Sequence, residues 1–368
     1  MKTNKFDIEN IQLMAFNSVL TGGGVSTYLQ SLRTYFNQKR KILTLRIKKN
    51  ERINNKIMSY EFCLGAKSIF SEICYISPDK FINTIKMLKT SKILHFNSYT
   101  LSEVIFSYVA KLMRKKVIVT FHNNFIKNRK ITLEQIRQIL VNNLSVLISD
   151  KIVFVSFNQF KNVSKIILFK KILKRKSVVI NNFIDKKMVL KRKRVGKKVK
   201  IIFVGRLTRE KGYYDLLNLM GEKGLSDVDF SIIGKRHFDK DIIESKNIRY
   251  YNQIPNEEIF KIYDEHAVLI LPSYTESFPM TILEAMARGL VILVSDIPGM
   301  REIIQEGRNG YLFPPGDVEK MKEIILYLKN NPKDVERISK NNLKDIWKFT
   351  AEKQVPRYIK IYEEVLKK

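Results

Sequence analysis

The chain has 368 residues, of which 45% are hydrophobic, and this is enough apolar material for two cores of ordinary size. The amino-terminal residues MKTNKFDIEN are too polar for a signal peptide, and no uninterrupted apolar run approaches the ~18 residues of a membrane-spanning helix. We therefore expect neither a secretory leader nor a transmembrane segment. Cys63 and Cys74 have no histidine at metal-ligand spacing, so we expect free core thiols of a cytosolic protein rather than a zinc site or a disulfide.

The formal net charge is +31, and it is unevenly distributed. Residues 1–190 contain 34 Lys and Arg against 10 Asp and Glu, whereas the remaining residues contain 33 against 26. A nucleic acid, an anionic membrane surface or a phosphorylated substrate would each suit such a surface, and a solvated lysine-rich surface is the alternative without a partner. Because aromatic and glycine-rich RNA-binding signatures are absent, the charge favours a membrane surface and no nucleic acid.

The first predicted unit is a strand at Ile11–Phe16, a loop containing Gly22, Gly23 and Gly24, and a helix over roughly Ser26–Phe36. Three glycines between a strand and a helix let the backbone approach a ligand closely and leave the helix amino end open to an anion. The same glycines are also compatible with a flexible turn. Residues 44–90 carry no motif.

The next predicted elements are a strand at Ile93–Phe96, a helix at Glu103–Lys116 and a strand at Val117–Phe121. The helix combines lysine and arginine with large apolar residues, which is typical either of a membrane-surface helix or of a helix packed on the sheet with a cationic outer face. His122 directly follows the strand, so it lies at a carboxyl edge and is a site candidate. His95 is interpreted as structural or acceptor-side.

A further unit consists of a strand at Lys151–Ser156, a helix over about Asn158–Leu173 and a strand at Ser177–Ile180. The charged segment Lys186–Lys200 then links the two halves.

The second half begins with Val199–Gly212, a strand followed by a glycine turn and a helix start. Gly205 permits the turn, while Arg206 and Lys211 flank the amino end of the next helix. A forked guanidinium and a flexible ammonium at such a position are suited to a diphosphate, and two ordinary surface cations are the alternative. Asp227 and Asp229 form a D-x-D pair at the amino end of a strand, the wrong end for a ligand site, and we therefore predict no metal there.

A strand at Ala267–Leu271 is followed by a polar loop and an apolar-periodic helix that ends at Gly289. Glu276 lies in the loop and Glu284 in the first two turns of the helix, so both can point beyond the strand ends. The first amide groups of that helix lack intrahelical partners and favour a phosphate. These amides belong to Phe278, Met280 and Thr281. A solvated glutamate and a capping glutamate are the alternative.

The segment Leu271–Gly289 resembles the Glu-x7-Glu signature of retaining glycosyltransferases of family 4, which have the GT-B fold. Ser295–Ile304, Gly307–Asp317 and the FVGRL-x-x-EKG segment resemble further motifs of the family, and Asn181–Asp185 resembles the turn that leaves its first domain. The resemblance implies an α/β protein with two Rossmann-like parallel-sheet domains facing across a cleft, and a C-terminal helix that returns to the first domain. The implied domains are 1–190, which is basic, binds the acceptor and faces the membrane, 191–350, which binds the nucleotide sugar, and 351–368, the returning helix.

The resemblance also implies a role for each site residue. Arg206 and Lys211 would bind the donor pyrophosphate, Glu284 the ribose, and His122 with Glu276 the donor sugar. The remaining residues expected to contact the donor are Gly22, Gly23, Gly24, Ile254, Phe278, Pro279, Met280 and Thr281. No metal and no cofactor are expected, because the nucleotide-diphosphate sugar is a substrate.

The acceptor expected from charge and family is a lipid-linked or surface-polysaccharide intermediate, used at the cytoplasmic face of the membrane by a peripherally bound enzyme. Two alternatives remain. One is a polyanion- or membrane-binding protein on a catalytically degenerate GT-B frame, and the other is a sugar-nucleotide epimerase of related fold. The sequence determines neither the donor sugar, the base, the acceptor and the linkage, nor the oligomeric state.

Overall fold

The chain folds into two compact units, one formed by residues 1–181 and 354–368 and the other by residues 182–353. The sequence places the first boundary at residue 190 instead. None of the helices in the described part of the chain is long and apolar enough to span a membrane. The computed structural model describes residues 11–14, 24–38, 44–46, 91–97, 101–122, 132–190, 198–234, 243, 245–252, 254 and 256–367.

The first unit contains a six-stranded sheet in the order β2-β1-β3-β4-β5-β6, with every neighbouring pair parallel. Parallel neighbours require crossover connections, which is why helices separate the strands along the chain. The strands are β1 Ile11–Met14, β2 Thr44–Arg46, β3 Ile93–Phe96, β4 Lys116–Phe121, β5 Lys151–Phe154 and β6 Ser177–Val179. The helices are α1 Gly24–Gln38, α2 Leu101–Leu112, α3 Leu133–Ile148, α4 Phe157–Ser164 and α5 Lys170–Lys176.

The core of this unit lies around its central strands, because β3 is buried along its whole length and β4 and β5 are buried after their first residue. Continuous apolar strands of this kind are expected where helices cover both faces of a parallel sheet. The helix α2 ends at Leu112 rather than at Lys116, because Arg114 adopts a left-handed conformation (φ 57°) and Lys116 already begins β4.

The segment predicted as one helix over Asn158–Leu173 is two helices, α4 and α5. The side chain of Asn143, in α3, explains the break. Its Oδ1 accepts a hydrogen bond from the backbone N–H of Leu168 at 2.8 Å, and its Nδ2 donates to the carbonyl of Ile166 at 3.5 Å. The Asn143 amide thus satisfies backbone groups that a continuous helix would have paired internally.

The C-terminal helix α12, Ala351–Leu366, begins in the second unit, and from residue 354 onward it belongs to the first. Its inner face is aromatic, because Tyr358 and Tyr362 are fully buried. Tyr362 is hydrogen-bonded with the His95 ring in β3 at 2.8 Å, which ties the end of the chain to the first sheet. The prediction of a returning C-terminal helix is therefore confirmed.

The second unit contains another six-stranded parallel sheet, in the order β12-β11-β10-β7-β8-β9. Its strands are β7 Lys200–Val204, β8 Asp229–Ile233, β9 Ile248–Tyr251, β10 Val268–Leu271, β11 Val291–Ser295 and β12 Gly310–Phe313. Its helices are α6 Tyr213–Met220, α7 Asn256–Glu265, α8 Met280–Ala287, α9 Pro298–Arg301, α10 Val318–Asn330 and α11 Pro332–Asp345.

The strand order of the second sheet contains a switch point. From β7 the chain builds outward through β8 and β9, and it then returns to place β10 on the other side of β7. In doubly wound sheets, ligands bind outside the carboxyl ends of the strands at such a point. The loops after β7 and β10 are therefore where the fold itself predicts a ligand, and the two Rossmann-like parallel sheets confirm the predicted fold class.

Candidate active site

The loop after β7 is fixed by a close backbone contact with the loop after β10. Gly212 has a φ of +69°, and a Cβ atom built there would lie 2.0 Å from the carbonyl oxygen of Pro272. Only glycine both adopts this conformation easily and leaves room for the Pro272 carbonyl. The short 3₁₀ helix Arg209–Lys211 precedes Gly212, so the contact brings Lys211 directly to the edge of β10.

Lys211 forms an ion pair with Glu276 at this edge. Its Nζ lies 2.6 Å from the Glu276 Oε1, and the two side chains are only 18% and 11% exposed. The hydroxyl of Ser273 donates to the same carboxylate oxygen at 3.1 Å. A shielded pair is worth more than an exposed one only when its hydrogen bonds are complete, and here Ser273 supplies an additional bond. An anion that entered the site would find the Lys211 ammonium already in position.

Arg206, the other predicted clamp residue, lies at the start of the same loop but is exposed. Its side chain is 61% exposed, and it pairs with Glu210 at 3.2 Å. The guanidinium is therefore held only by a solvent-exposed pair of the weak kind, and it can exchange Glu210 for a phosphate at little cost.

The loop that carries Glu276 is held by two further contacts. The Nδ2 of Asn182 donates to the carbonyl of Phe278 at 2.8 Å. On the other side, a Cβ atom at Gly299 would lie 2.3 Å from the carbonyl oxygen of Glu276, so α9 packs directly on the loop. Asn182 and Gly299 lie in segments that resemble family motifs, Asn181–Asp185 and Ser295–Ile304. Sequence reasoning nevertheless assigned neither residue a role, because each acts through a backbone atom distant in the chain.

The helix α8 begins immediately after this loop, at Met280. Its N-cap residue is Pro279, which makes no side-chain capping hydrogen bond. The first amide groups of α8, among them those of Met280 and Thr281, therefore receive no cap from that residue, and this suits an anion. The predicted phosphate-binding amides thus lie on the same loop and helix start as Glu276.

Glu284 is the fifth residue of α8 and is 7% exposed. The Tyr263 hydroxyl donates to its Oε2 at 3.4 Å. Burial, and secondarily the Glu284 carboxylate, raise the pKa of Tyr263 well above its ordinary value, so Tyr263 remains a donor at every physiological pH. Ile254, the predicted contact for the base, lies between β9 and α7 and is half-buried.

His122 lies at the carboxyl end of β4, in the first unit. Its Nε2 is buried and has no hydrogen-bond partner within the described residues, and the Tyr28 ring of α1 packs edge-on with the imidazole at a centroid distance of 4.9 Å. Burial lowers the pKa of His122 to about 4, so the ring is neutral near pH 7. A neutral imidazole with an unsatisfied nitrogen can bind a hydroxyl group.

His95 is completely enclosed. One ring nitrogen is hydrogen-bonded with the Thr120 hydroxyl at 2.7 Å and the other with Tyr362, so neither is left to bind a ligand. Burial, followed by the charge of His122, lowers the pKa of His95 to about 3. These contacts support a structural role.

Other predicted site residues are only partly described. Gly24 begins α1, whereas Gly22 and Gly23 lie outside the described residues, as do Cys63 and Cys74. In the part of the chain that the structure covers, no group of three or more histidine, cysteine, aspartate or glutamate residues could hold a metal ion. The two aspartates of the D-x-D pair bind lysines instead: Asp227 pairs with Lys329 at 2.6 Å and Asp229 with Lys198 at 2.9 Å.

Comparison with known proteins finds a family match within the second unit. The family model Glycosyl transferases group 1 matches residues 185–345, which include the loops after β7 and β10. A Klebsiella pneumoniae protein described as an uncharacterized 41.2 kDa protein in the cps region is 28% identical over 344 residues, with 84% of this chain and 93% of that protein covered.

A Campylobacter jejuni relative is an N,N'-diacetylbacillosaminyl-diphospho-undecaprenol alpha-1,3-N-acetylgalactosaminyltransferase. It is 25% identical over 190 residues, which cover 50% of this chain and 49% of that protein. The crystal structure of Anabaena Alr3699/HepE in complex with UDP-glucose superposes with a TM-score of 0.75 at 14% identity, with 96% of this chain and 99% of that chain covered. At this identity the likeness concerns the fold alone. Residues 185–345 thus match the glycosyl transferases group 1 family, and the chain has the GT-B fold of the solved glycosyltransferase structures.

Proposed function

We propose that the protein is a retaining hexosyltransferase that moves a sugar from a nucleotide-diphosphate donor to a lipid-linked or surface-polysaccharide acceptor at the cytoplasmic face of the membrane. The observation that carries this proposal is the Lys211–Glu276 pair, held at the sheet switch point beside the start of α8. This arrangement offers a cation and backbone donors to a diphosphate, and a carboxylate to a polyhydroxylated sugar.

Donor binding would use the residues of the second unit in order along the nucleotide. Glu284, shielded in α8, would accept hydrogen bonds from the ribose hydroxyls, and the half-buried backbone at Ile254 would contact the base. Lys211 and Arg206 would bind the diphosphate together with the amides of Phe278, Met280 and Thr281. Gly22, Gly23 and Gly24 would let the backbone of the first unit approach the donor closely.

In the transfer step, the bond between the anomeric carbon and the leaving phosphate oxygen breaks, and a bond to the acceptor oxygen forms on the same face of the sugar. The acceptor proton passes to the leaving diphosphate, so atoms and charge balance without a carboxylate nucleophile. Negative charge grows on the diphosphate in the transition state, where Lys211 and Arg206 are positioned to neutralise it. Glu276 and His122 would bind sugar hydroxyls and orient the anomeric carbon.

We propose that no metal and no cofactor take part. Two cations and a helix amino end supply positive charge of the kind that a divalent ion supplies at other diphosphate sites. The acceptor is inferred from the relatives: the name of the Campylobacter jejuni enzyme specifies a diphospho-undecaprenol-linked acceptor, and the Klebsiella pneumoniae protein is described as lying in the cps region. The basic first half is consistent with a peripheral place at an anionic membrane face.

The test is a donor screen that measures release of UDP, GDP or ADP from a panel of sugar nucleotides. We expect slow hydrolysis of one donor by the wild type, its loss in Lys211→Ala and its retention in Lys333→Ala, a substitution of an exposed lysine in α11. NMR of the product formed on the matching acceptor should reveal the same anomeric configuration as in the donor. An inverted product would disprove retention.

Two other results would contradict the proposed transferase function and support an alternative. Conversion of the donor into an epimerised sugar nucleotide without release of a nucleoside diphosphate would identify an epimerase. No turnover and no donor binding across the panel would favour a polyanion-binding protein on a degenerate frame.

A further inference from the structure

Two helices of the first unit carry their large apolar side chains on the outside. Among the side chains of α3 that the structure describes, every exposed one is leucine or isoleucine, at spacings of three and four residues that place them on one face. The exposed fractions are 79% for Leu133, 46% for Ile136, 59% for Leu140, 41% for Leu144 and 41% for Leu147.

The inner face of α3 is mixed, because two of its valines belong to the apolar core and three polar residues are buried beside them. Asn142, Asn143 and Ser145 are buried there. Asn143 satisfies the backbone between α4 and α5, and Gln138 donates to the Asn142 side chain at 2.9 Å. An amphipathic helix on a water-facing surface carries polar residues on its outside, whereas α3 exposes leucine and isoleucine there. The exposed leucines are therefore not explained by the packing of this unit.

The helix α2 packs beside α3 and repeats the arrangement. Among its described side chains the exposed ones are Ile105, Tyr108 and Leu112, again at spacings of three and four residues. We call the exposed apolar residues of α2 and α3 together the outer face. The lysine-rich pattern predicts a cationic outer surface on α2. Lys111 instead forms an ion pair with Asp150 at 2.8 Å, and the exposed side chains described on α2 are apolar.

The second unit has no comparable surface in the residues that are described. Its large exposed hydrophobic residues are Tyr214, Tyr274, Tyr327 and Trp347, which lie on separate elements and are all aromatic. Isolated residues of this kind are normal on a soluble surface, whereas a contiguous aliphatic patch marks an interaction site. The outer face is thus a local property of α2 and α3 rather than of the whole chain.

The segment that carries the outer face is strongly basic. Residues 91–181 contain 17 Lys and Arg against 3 Asp and Glu. At the C-terminal end of α3, Lys176 donates to the carbonyls of Val146 and Leu147, both at 2.9 Å, so its ammonium lies beside the last exposed leucine of the face. A surface cavity of about 330 Å³ opens at this point, lined by Asp150, Lys151, Arg175, Lys176 and Val365.

The charges at this cavity favour an anion. Lys111 is paired with Asp150, and Lys151 with Glu364 at 3.1 Å. Within the group, Arg175 therefore has no ion pair, and Lys176 has only the attraction of the already paired Asp150. Arg175 is exposed, and Lys176 is held by carbonyls alone. A phosphate group in the cavity would therefore meet two cations next to an aliphatic surface.

We infer that the outer face docks on an anionic lipid bilayer, with its leucine, isoleucine and tyrosine side chains in the interfacial region and the cavity of Arg175 and Lys176 at a lipid phosphate. This inference rests on the proposed function at the membrane face, for which it names the surface involved. Aliphatic side chains beside cations are the recognition pattern for an anionic bilayer. A second copy of the chain is the poorer occupant, because it would bring two strongly basic surfaces together.

The inference is tested with the full chain and sedimented vesicles of phosphatidylcholine, with or without phosphatidylglycerol. We expect binding to the anionic vesicles that weakens as the salt concentration rises, since added salt screens charge over about 10 Å or less. The double variant Leu140→Gln and Leu144→Gln should lower binding about tenfold or more, because two aliphatic side chains no longer enter the interface. The matched control is Tyr327→Gln with Trp347→Gln, exposed residues of the second unit, which should bind as the wild type does.

Two results would overturn the inference: no binding of the wild type to anionic vesicles, or equal binding of the leucine variant, whether or not that variant changes from dimer to monomer. Hydrolysis of the sugar nucleotide in solution, measured on the same samples, separates this inference from the proposed function. Donor turnover without vesicle binding would contradict only the docking surface. Vesicle binding without donor turnover would contradict only the enzymatic proposal.

Discussion

The carboxyl edges of the two sheets are held in shape by different means. In the second unit, backbone meets backbone: Gly212 lies against Pro272, and Gly299 lies against Glu276, without room for a Cβ atom at either glycine. In the first unit, tyrosine rings pack against histidine rings. Tyr28 packs against His122, and both tyrosines of α12 pack against His95.

This difference determines what each edge can do and how readily it is recognised. A backbone contact fixes the loop that carries Lys211 and leaves its side chain free to exchange partners. A ring contact removes the imidazoles from water and makes their protonation costly. The second edge is therefore sensitive to side-chain volume, and the first is sensitive to pH.

Among the substitutions considered at the second sheet edge, Gly212→Ala should have the largest effect on stability. The new methyl group would collide with the Pro272 carbonyl, and the residue would also be strained at φ +69°, so we expect a loss of stability of about 4 kcal/mol or more in the second unit, above the ~1–3 kcal/mol of the backbone conformation alone. Donor turnover should disappear with it. The matched control is Gly307→Ala, which has the same φ but nothing within 4 Å of a Cβ atom, and which should cost only about 1 kcal/mol. Thermal unfolding of both variants compares the two. Equal losses would mean that the Pro272 contact contributes nothing.

The first unit should lose stability in acid, because histidines lie at its sheet edge, whereas the second unit need not. His122 and His95 have pKa values of about 4 and about 3 in the folded protein, against an ordinary value near 6.5, so the unfolded chain binds more protons below pH 6.5. Their contribution to stability is complete above about pH 6.5 and is lost as the pH falls toward 4 and 3. At pH 5 the loss is about 2 kcal/mol for each histidine, since one pH unit corresponds to about 1.4 kcal/mol.

The measurement is thermal unfolding of the first unit at pH 7.5 and pH 5, for the wild type and for His122→Gln. The variant should lose about half of the pH dependence. The groups that adjoin these rings are Thr120, Tyr28, Tyr358 and Tyr362, and burial raises the pKa of all three tyrosines, so none of them titrates in this range. An unchanged pH dependence in the variant would show that His122 is not shielded as described.

The difference between the two sheet edges also explains which site residues could be predicted from the sequence. The carboxyl edge of the second sheet is recognisable in the sequence. Its closely packed glycine and the charged residues after its strands occur at fixed spacings, which form motifs. Arg206, Lys211, Glu276 and Glu284 were thus predicted from the sequence to lie around β7 and β10. The alternation of strands and helices indicated parallel α/β units, and the resemblance to retaining glycosyltransferases of family 4 implied the GT-B fold class.

The contacts that could not be predicted join residues far apart in the chain. Asn182 reaches Phe278 across 96 positions, and Asn143 breaks the helix expected over Asn158–Leu173. Sequence reasoning assigned no element to the α3 segment, although its leucines recur at helical spacings and Thr132 with Gln135 forms a capping box. Only the structure shows that this apolar face points outward. Tertiary contacts and an external partner, rather than local propensity, decide such segments.

Substitutions at Lys211 separate the chemistry of the second edge from its structure. Lys211→Met should reduce donor turnover by about 10²- to 10³-fold, the usual effect of removing one donor to a developing anion. It would also leave the shielded Glu276 carboxylate without its cation and destabilise the unit. Adding Glu276→Gln should restore stability but not turnover, because the neutral pair leaves no unpaired charge.

Arg206→Ala is the exposed counterpart, and we expect a loss of only about tenfold, because a surface guanidinium acts through solvent-screened charge. Steady-state nucleotide release and thermal unfolding on the same four proteins measure both effects. Recovery of turnover in the double variant would contradict a role for Lys211 in binding the diphosphate.

The smallest expected effect on stability is that of Asn182→Ala. It is also the most specific test of how the second sheet edge is held, because it concerns a single hydrogen bond. Asn182→Ala removes the buried bond to the Phe278 carbonyl and leaves that acceptor unsatisfied, so we expect a loss of about 1–2 kcal/mol in the second unit. Since Phe278 lies between Glu276 and the start of α8, the Michaelis constant for the donor should rise severalfold while kcat changes less. Asn341→Ala is the matched control, because Asn341 makes a bond of the same length, 2.8 Å, to the Arg308 carbonyl, but in an exposed position where water replaces it. If both variants were equally stable and equally active, the loop that carries Glu276 would be held by Gly299 and Gly212 alone, and the second edge would depend on backbone contacts only.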